Sequence, residues 1–552
     1  MTFPNIAILH CHYRRGGVTQ VVENQVAALA SRRPDRDASG TDGKIILMSG
    51  GRDEGLSEAT NKLCSRITIK GMEYDDVLAQ QSETLAWDHD PVQRGNRLAH
   101  QLHLALENAG CPADQTIVHW HNHSLGKNVA APVAIRQLTS QYGYRVLLQI
   151  HDFAEDFRPE NYARVMRAAQ LVCGSNLSDK PLASLVNQYL YPVSERIRYA
   201  TLTSGDAELL QAVGLPSSLV DVLPNGVRLA ADHELDREAS LRKIRGAAAL
   251  GDDVSWCVYP VRGIRRKNVG EFLLLSRLMP ENRFSGITLP PATPIESASY
   301  QRWMHLGKDL APRAVFDCGV FDDVTFLDNL AASSLIVSTS VAEGFGMAFL
   351  EPWLAGRGVV ARRLPHVTDD FEREGVCLDR LYSQICIPGT PDWLSTCRSE
   401  ARHVFQKSWH LIRDQFGDAI EFEALSSSVN GDSADGIDFA MLTTNRQIEV
   451  LRRMAHDTGF ESEIRNLNPQ LLRCLETPFT TEVLDSNRSQ IQQTYSIEST
   501  TRRLLQSYQR LLKAEEPDAK SQVELTSDEA SLAEVICKTR PFYPCRVETE
   551  ID

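Results

Sequence analysis

The chain has 552 residues, 42% hydrophobic and 24% charged, with a formal net charge of -14. It is long enough for two or three domains with full cores, and its acidic balance disfavours a nucleic-acid partner or a strongly basic membrane-surface role. Twelve scattered cysteines without a CxxC pair, too short an apolar N-terminal run for a signal peptide and no window of membrane-spanning length lead to the expectation of a cytoplasmic protein with reduced thiols.

In chain order, Ile6 to Leu9 reads as a buried strand, followed by Gly16-Gly17 and a helical pattern through Val18, Val21, Val22, Val26 and Leu29. Strand, glycine turn and helix open a doubly wound α/β domain, although the GxGxxG dinucleotide fingerprint is absent. The two glycines permit close backbone approach to a ligand, and a plain tight turn fits them equally well. Further strands are expected at 45–48, 116–120, 145–150, 171–173, 199–202 and 220–223, with a long helix near 92–109. His119, His121 and His123 alternate and so suggest a metal, but no acid stands near them, and the expectation is no metal. His151 follows the strand 145–150, at the carboxyl end where ligands of open α/β sheets bind. Its other reading is a strand-capping hydrogen bond.

Residues 232–250 are charged and helical and read as a linker. A second α/β series then begins. Strand 255–261 runs into Arg262 and Lys267 before a helix at 269–279. Cations at a helix start oppose its dipole and suggest a bound phosphate. Strands are expected at 284–289, 314–319, 335–337 and 358–361. The strand at 335–337 leads through Glu343-Gly344-Phe345-Gly346 into an Ala/Leu/Met-rich helix that carries Glu351. Such a helix N-terminus is an anion site, and Glu351, eight residues after Glu343, would share its face. Two acids above N–H donors suit a polyhydroxylated ligand carrying phosphate, whereas a capped α/β unit with solvated glutamates is the ordinary alternative.

Taken together, these residues resemble the retaining GT-B glycosyltransferases of family 4. The resemblance rests on Gly16-Gly17, His151-Asp152, the turn from Pro224 to Val227, the Arg262 and Lys267 pair, and Glu343 and Glu351 with Gly344 to Gly346 between them. It covers about residues 1–375 in order and returns at 495–513. It implies two Rossmann-like doubly wound domains facing across a cleft, with an added helical insertion near the C-terminus. The domains would run 1–232 (acceptor side) and 250–380 (nucleotide sugar), then an insertion at 381–492, a closing helix at 493–513 against the first domain and an acidic tail at 514–552. The stretch from Arg362 to Asp370 departs from the family, which has a Gly-Gly loop and an acid there. A flexible loop is expected at 426–436.

The implied activity is transfer of a hexosyl group from a nucleotide-diphosphate sugar to a hydroxyl acceptor, soluble or a glycan, with retention of configuration. Silent sugar-nucleotide or glycan binding, or GT-B epimerase or phosphorylase chemistry, is the alternative. By the resemblance, Arg262 and Lys267 neutralise the diphosphate and Glu351 binds the ribose. Glu343 and the amides of Gly344, Phe345 and Gly346 hold the sugar, with the ring of Phe345 leaning to the core. His151 bonds a sugar hydroxyl, and Gly16 and Gly17 approach the phosphate or the acceptor. No cofactor or metal is implied, since Asp322-Asp323 and Asp369-Asp370 do not resemble a metal-binding DxD.

Overall fold

The computed structural model describes residues 3–32, 43–81, 90–173, 182–228, 236–417, 436–513 and 531–548. The loop expected at 426–436 lies outside them, apart from its last residue. The chain forms two compact units. The first comprises Met1–Gly226, Trp409–Glu421 and Tyr495–Cys537; the second comprises Val227–Ser408, Phe422–Thr494 and Lys538–Asp552.

The first unit holds a seven-stranded parallel sheet. Its strands are β1 (Asn5–Leu9), β2 (Ile45–Ser49), β3 (Ser65–Thr68), β4 (Thr116–His121), β5 (Arg145–Ile150), β6 (Ile197–Thr201) and β7 (Val220–Val222). They lie in the order β3-β2-β1-β4-β5-β6-β7. Register pairs Ile6 with Ile45 on one side of β1 and with Ile117 on the other. The chain therefore changes direction at the β1/β4 boundary, where a doubly wound sheet leaves a crevice above its strand ends. β1, β2 and β4 are buried along their whole length, as strands covered on both faces must be. The helix Gly17–Ser31 buries Val21, Val22, Val26 and Leu29. These share a core with Ile6, Ile8, Ile45 and Leu47 and with Leu504, Tyr508 and Leu511 of the helix Ile497–Lys513.

The second unit holds a six-stranded parallel sheet of β8 (Ser255–Arg262), β9 (Arg283–Leu289), β10 (Ala314–Val315), β11 (Ser333–Ser338), β12 (Val359–Arg362) and β13 (Leu381–Tyr382). Its order, β10-β9-β8-β11-β12-β13, places a second switch point between β8 and β11. A two-stranded antiparallel ribbon, β14 (Cys386–Ile387) with β15 (Ile437–Asp438), stands apart from both sheets. The two Rossmann-like domains and the helical C-terminal region of the expected fold class are present.

Several local expectations are corrected. Residues 171–173 are not a strand but the end of the helix Pro159–Cys173; Tyr162, Val165, Met166, Ala169 and Cys173 form its buried stripe at helical spacing. The strand expected at 314–319 stops at Val315, and Asp317 adopts a left-handed φ of 59° that no strand continues through. The charged helix Arg237–Ala247 is no free linker. It buries Leu241 and Ile244 and packs on the helix Phe326–Ala332, with Lys243 paired to Asp328. Between 381 and 492 the chain contributes β13 to the second sheet, while Trp409 packs on Tyr162 in the first unit. Of the expected acidic tail, residues 531–548 include a helix, Leu532–Thr539, and Leu532, Ile536, Cys537 and Phe542 are fully buried. Formal charge counted along a stretch does not reveal which face it buries.

Candidate active site

In the first unit, β1, β4 and β5 deliver histidines to their carboxyl ends. His10, His119, His121 and His151 are all buried. The carboxamide of Asn122, a residue in the left-handed conformation (φ 55°), accepts the main-chain N–H of His151 at 2.7 Å and that of Asp152 at 3.1 Å. Asp152 in turn pairs with Arg158 at 2.7 Å. His151 Nε2 lies 2.8 Å from His121 Nδ1. His119 reaches Tyr508 Oη at 2.9 Å and Gln149 Oε1 at 3.0 Å, and His123 Nε2 reaches the carbonyl of Leu190 at 2.9 Å. The three alternating histidines thus bond in three separate directions. Burial lowers His119 to about 3 and His151 to about 4, the carboxylate of Asp152 opposing it only in part. Burial lowers His121 as well, helped by the neighbouring imidazoles. All are neutral near pH 7. A different trio, His10, Cys11 and His12, offers one donor atom each within 4.8 Å of the others, although burial pushes the Cys11 thiol up to about 12 and so keeps it protonated.

Gly16 is extended (φ 174°, ψ 174°), a conformation any residue adopts, and Gly17 begins the helix. A Cβ on Gly17 would meet nothing within 4 Å, and one on Gly16 only the carbonyl of Arg14 at 3.9 Å. Neither glycine is required by its own surroundings.

In the second unit, the end of β8 turns through the short 3₁₀ segment Arg265–Lys267 into the helix Val269–Leu278. Asn268 makes the turn in the left-handed conformation (φ 48°). The Ser338-Thr339-Ser340 end of β11 clasps that turn. Thr339 Oγ1 donates to the carbonyl of Lys267 at 2.8 Å, and Tyr259 Oη lies 2.6 Å from Ser340 Oγ and donates to the same carbonyl at 3.2 Å. The clasp brings Lys267 Nζ onto Glu343 Oε1 as an ion pair whose side chains are only 9% and 8% exposed. Burial favours the neutral form of Glu343, but Lys267 and Arg266 outweigh it and hold the carboxyl below its usual range. Arg262 is exposed at the end of β8 and donates to the carbonyl of Pro290 at 2.7 Å.

The loop after Glu343 differs from the expected strand-turn-long-helix. Gly346 is left-handed (φ 85°), and a Cβ there would come within 2.9 Å of both Phe349 and Val367, so glycine is needed for the turn itself. A 3₁₀ turn, Met347–Phe349, and a four-residue helix, Glu351–Leu354, follow; Pro352 has no N–H to join them into one helix. Glu343 and Glu351 therefore share no helix face, and no long-helix dipole stands over the loop. Phe345 is buried with its ring edge-on to Phe371. Glu351 is half-buried and has no hydrogen-bond partner among the described residues; burial alone raises it to about 7.

The sequence did not point to the support behind this turn. Asn268 donates to Glu271, and Glu271 pairs with Arg362, which also pairs with Asp438 at 2.8 Å. Arg362 is 0% exposed, and Tyr382 donates to Glu271 at 2.7 Å. Arg362, expected in a loop, is thus the end of β12 and a buried charge hub. Pro365–Arg373 beyond it is a helix.

No family model matches the chain. Among curated proteins, mannosylglucosyl-3-phosphoglycerate synthase of Petrotoga mobilis (strain DSM 10674 / SJ95) is 26% identical over 374 residues, 67% of this chain. The match spans 66% of that protein's length. Among solved structures, sucrose-phosphate synthase from Thermosynechococcus elongatus superposes with a TM-score of 0.49 at 12% identity, over 93% of this chain and all of the other. The Anabaena protein HepE, in complex with UDP-glucose, superposes with a TM-score of 0.48 at 10% identity, over 92% and 99% of the two chains.

Proposed function

We propose that the protein is a retaining glycosyltransferase that moves a hexosyl group from a nucleotide-diphosphate sugar to a hydroxyl acceptor. The observation that supports this most is the pairing of Lys267 with Glu343, 76 residues apart, at the switch point of the second sheet. That is where an α/β sheet binds nucleotides, and the pair brings a phosphate-seeking cation beside a sugar-binding acid. The 26% identity to a synthase of a glycosylated phosphoglycerate supports the same reading.

In this reading the bond from the anomeric carbon to the diphosphate oxygen breaks, and its electron pair leaves with the diphosphate. The acceptor oxygen bonds to the anomeric carbon on the same face, and the acceptor proton passes to the departing phosphate. Lys267 is already matched by Glu343, so the pair contributes no net charge. Arg262, exposed and held through one N–H, is then the cation that meets the developing negative charge, an effect worth roughly 3 kcal/mol. Glu351, desolvated and without a hydrogen-bond partner among the described residues, accepts the ribose hydroxyls. Glu343 and the amides of 344–346 hold the sugar, and His151 bonds one of its hydroxyls. Gly16 and Gly17 leave room for phosphate or acceptor. The transfer uses no metal.

The test is a thermal-shift screen of UDP, GDP and ADP sugars, since a ligand that binds the folded chain raises its melting temperature. Assays of nucleoside diphosphate release with a glucosylated 3-phosphoglycerate as first acceptor would follow. Release that is lost in Arg262→Ala and persists in EDTA is expected. Binding without release would leave a silent binder, and formation of sugar phosphate from free phosphate would mark a phosphorylase.

A further inference from the structure

Four of the buried histidines of the first unit, His10, His119, His121 and His151, must share a limited number of protons. His10 Nδ1 lies 3.3 Å from the carbonyl of His121, an acceptor only, so His10 carries its proton there. His119 Nε2 faces Gln149 Oε1 and so donates; its Nδ1 then accepts from Tyr508 Oη. The remaining contact, His121 Nδ1 to His151 Nε2 at 2.8 Å, holds one proton between two nitrogens. The rings are 5.1 Å apart and 25° from parallel, as two imidazoles are when they meet edge to edge. Two arrangements are open. If His151 donated, His121 would carry its proton on Nε2, which is sealed from solvent with no partner. A buried N–H without an acceptor costs its full desolvation, whereas a lone pair without a donor is tolerated more often. If His121 donates from Nδ1, its sealed Nε2 is only a lone pair. Burial, which lowers both rings, removes the doubly protonated alternative near pH 7.

We propose that His121 is a positioning residue that fixes His151 as the Nδ1–H tautomer. His151 Nδ1 is not among the sealed atoms and has no partner among the described residues. His151 therefore offers a ligand one N–H donor and no basic nitrogen. Its Nδ1–H can donate to a substrate oxygen, and it cannot take a proton from the acceptor hydroxyl. This consequence rests on the glycosyl-transfer reading; the tautomer itself does not.

The test has two arms. Long-range ¹H–¹⁵N spectra of histidine-labelled protein at pH 7, assigned by the signals lost in His121→Asn and His151→Asn, report which nitrogen of each ring is protonated. Protonated Nδ1 on both rings is expected, and a protonated Nε2 on His151 overturns the proposal whether or not the chain transfers sugar. In the second arm, the His121→Leu and His121→Asn variants are assayed for nucleoside diphosphate release. The leucine variant is expected to lose kcat by tenfold to a hundredfold, on the order seen when a catalytic group is misplaced, with KM for the donor changing less than about twofold. Asparagine, which can present an N–H near the position of Nδ1, should restore most of that loss. Equal rates in the two variants, at any level, overturn the positioning role. An inactive wild type with the expected tautomer would count against the transferase reading alone.

Discussion

At the carboxyl ends of the first sheet, His10, His119, His121 and His151 are buried without a counter-charge among them. At the same ends of the second sheet, Lys267 and Glu343 are buried as an ion pair. The first site meets the cost of burial by staying neutral, the second by matching one full charge with another. Neutral rings can orient a ligand with little electrostatic pull. A matched pair can hold charge in a low-dielectric setting, but only while both partners remain.

The largest expected effect breaks the charged side of that comparison. Lys267→Ala leaves Glu343 buried and unmatched and should cost about 3–5 kcal/mol of stability by urea denaturation. Adding Glu343→Gln should recover most of the stability and none of the transfer. Arg262→Ala sharpens the same side by separating function from fold. Its exposed side chain predicts a stability change within about 0.5 kcal/mol, while nucleoside diphosphate release falls about a hundredfold to a thousandfold.

The neutral side breaks on acidification. His151 is depressed from 6.5 to about 4 by burial, so its contribution is present above pH 6.5 and lost as pH falls toward 4. That contribution is about 3 kcal/mol, and His151→Gln should reduce the wild-type decline in urea midpoint over this range, leaving the share that His119 and His121 contribute. Glu351 is the charged side's exception and has the opposite sign. Its carboxyl is raised by burial from 4.5 to about 7, so stability is highest below pH 4.5 and falls as pH rises toward 7. With its partial exposure taken into account, the loss is about 2 kcal/mol, and Glu351→Gln should remove it. The smallest effect is Gly17→Ala. A methyl there meets nothing, so the free protein should gain up to about 1 kcal/mol, and nucleotide-sugar affinity by thermal shift should fall if the space serves a ligand.

The parts of this architecture legible in the sequence were those with a local signature. Apolar runs such as Ile6 to Leu9 and Leu335 to Val337 announced strands, and residues that follow such strands, including His151, Lys267 and Glu343, were found at the carboxyl ends of the two sheets. Less legible were features set by distant partners. Arg362 read as an odd loop residue because Glu271 and Asp438 lie 91 and 76 residues away along the chain. His121 read as a doubtful metal ligand because its bond to His151 joins neighbouring strands. The helix expected after Gly346 was broken at Pro352, which an Ala/Leu-rich composition concealed.

The Arg362 hub also determines how the molecule can be cut. Glu271 supports the Lys267 turn through Asn268, and Arg362 joins it to Asp438 and lies over the ring of Tyr543 at 5.7 Å. These anchors come from four separate stretches, the last beyond residue 538. A fragment of the second unit ending near residue 380 would keep every motif residue of its loop and Glu271 beside Arg362, yet lose Asp438 and Tyr543 from around a buried guanidinium. Dissection of this chain therefore calls for a discontinuous design, with 227–408, 436–494 and 538–548 rejoined, and not for truncation.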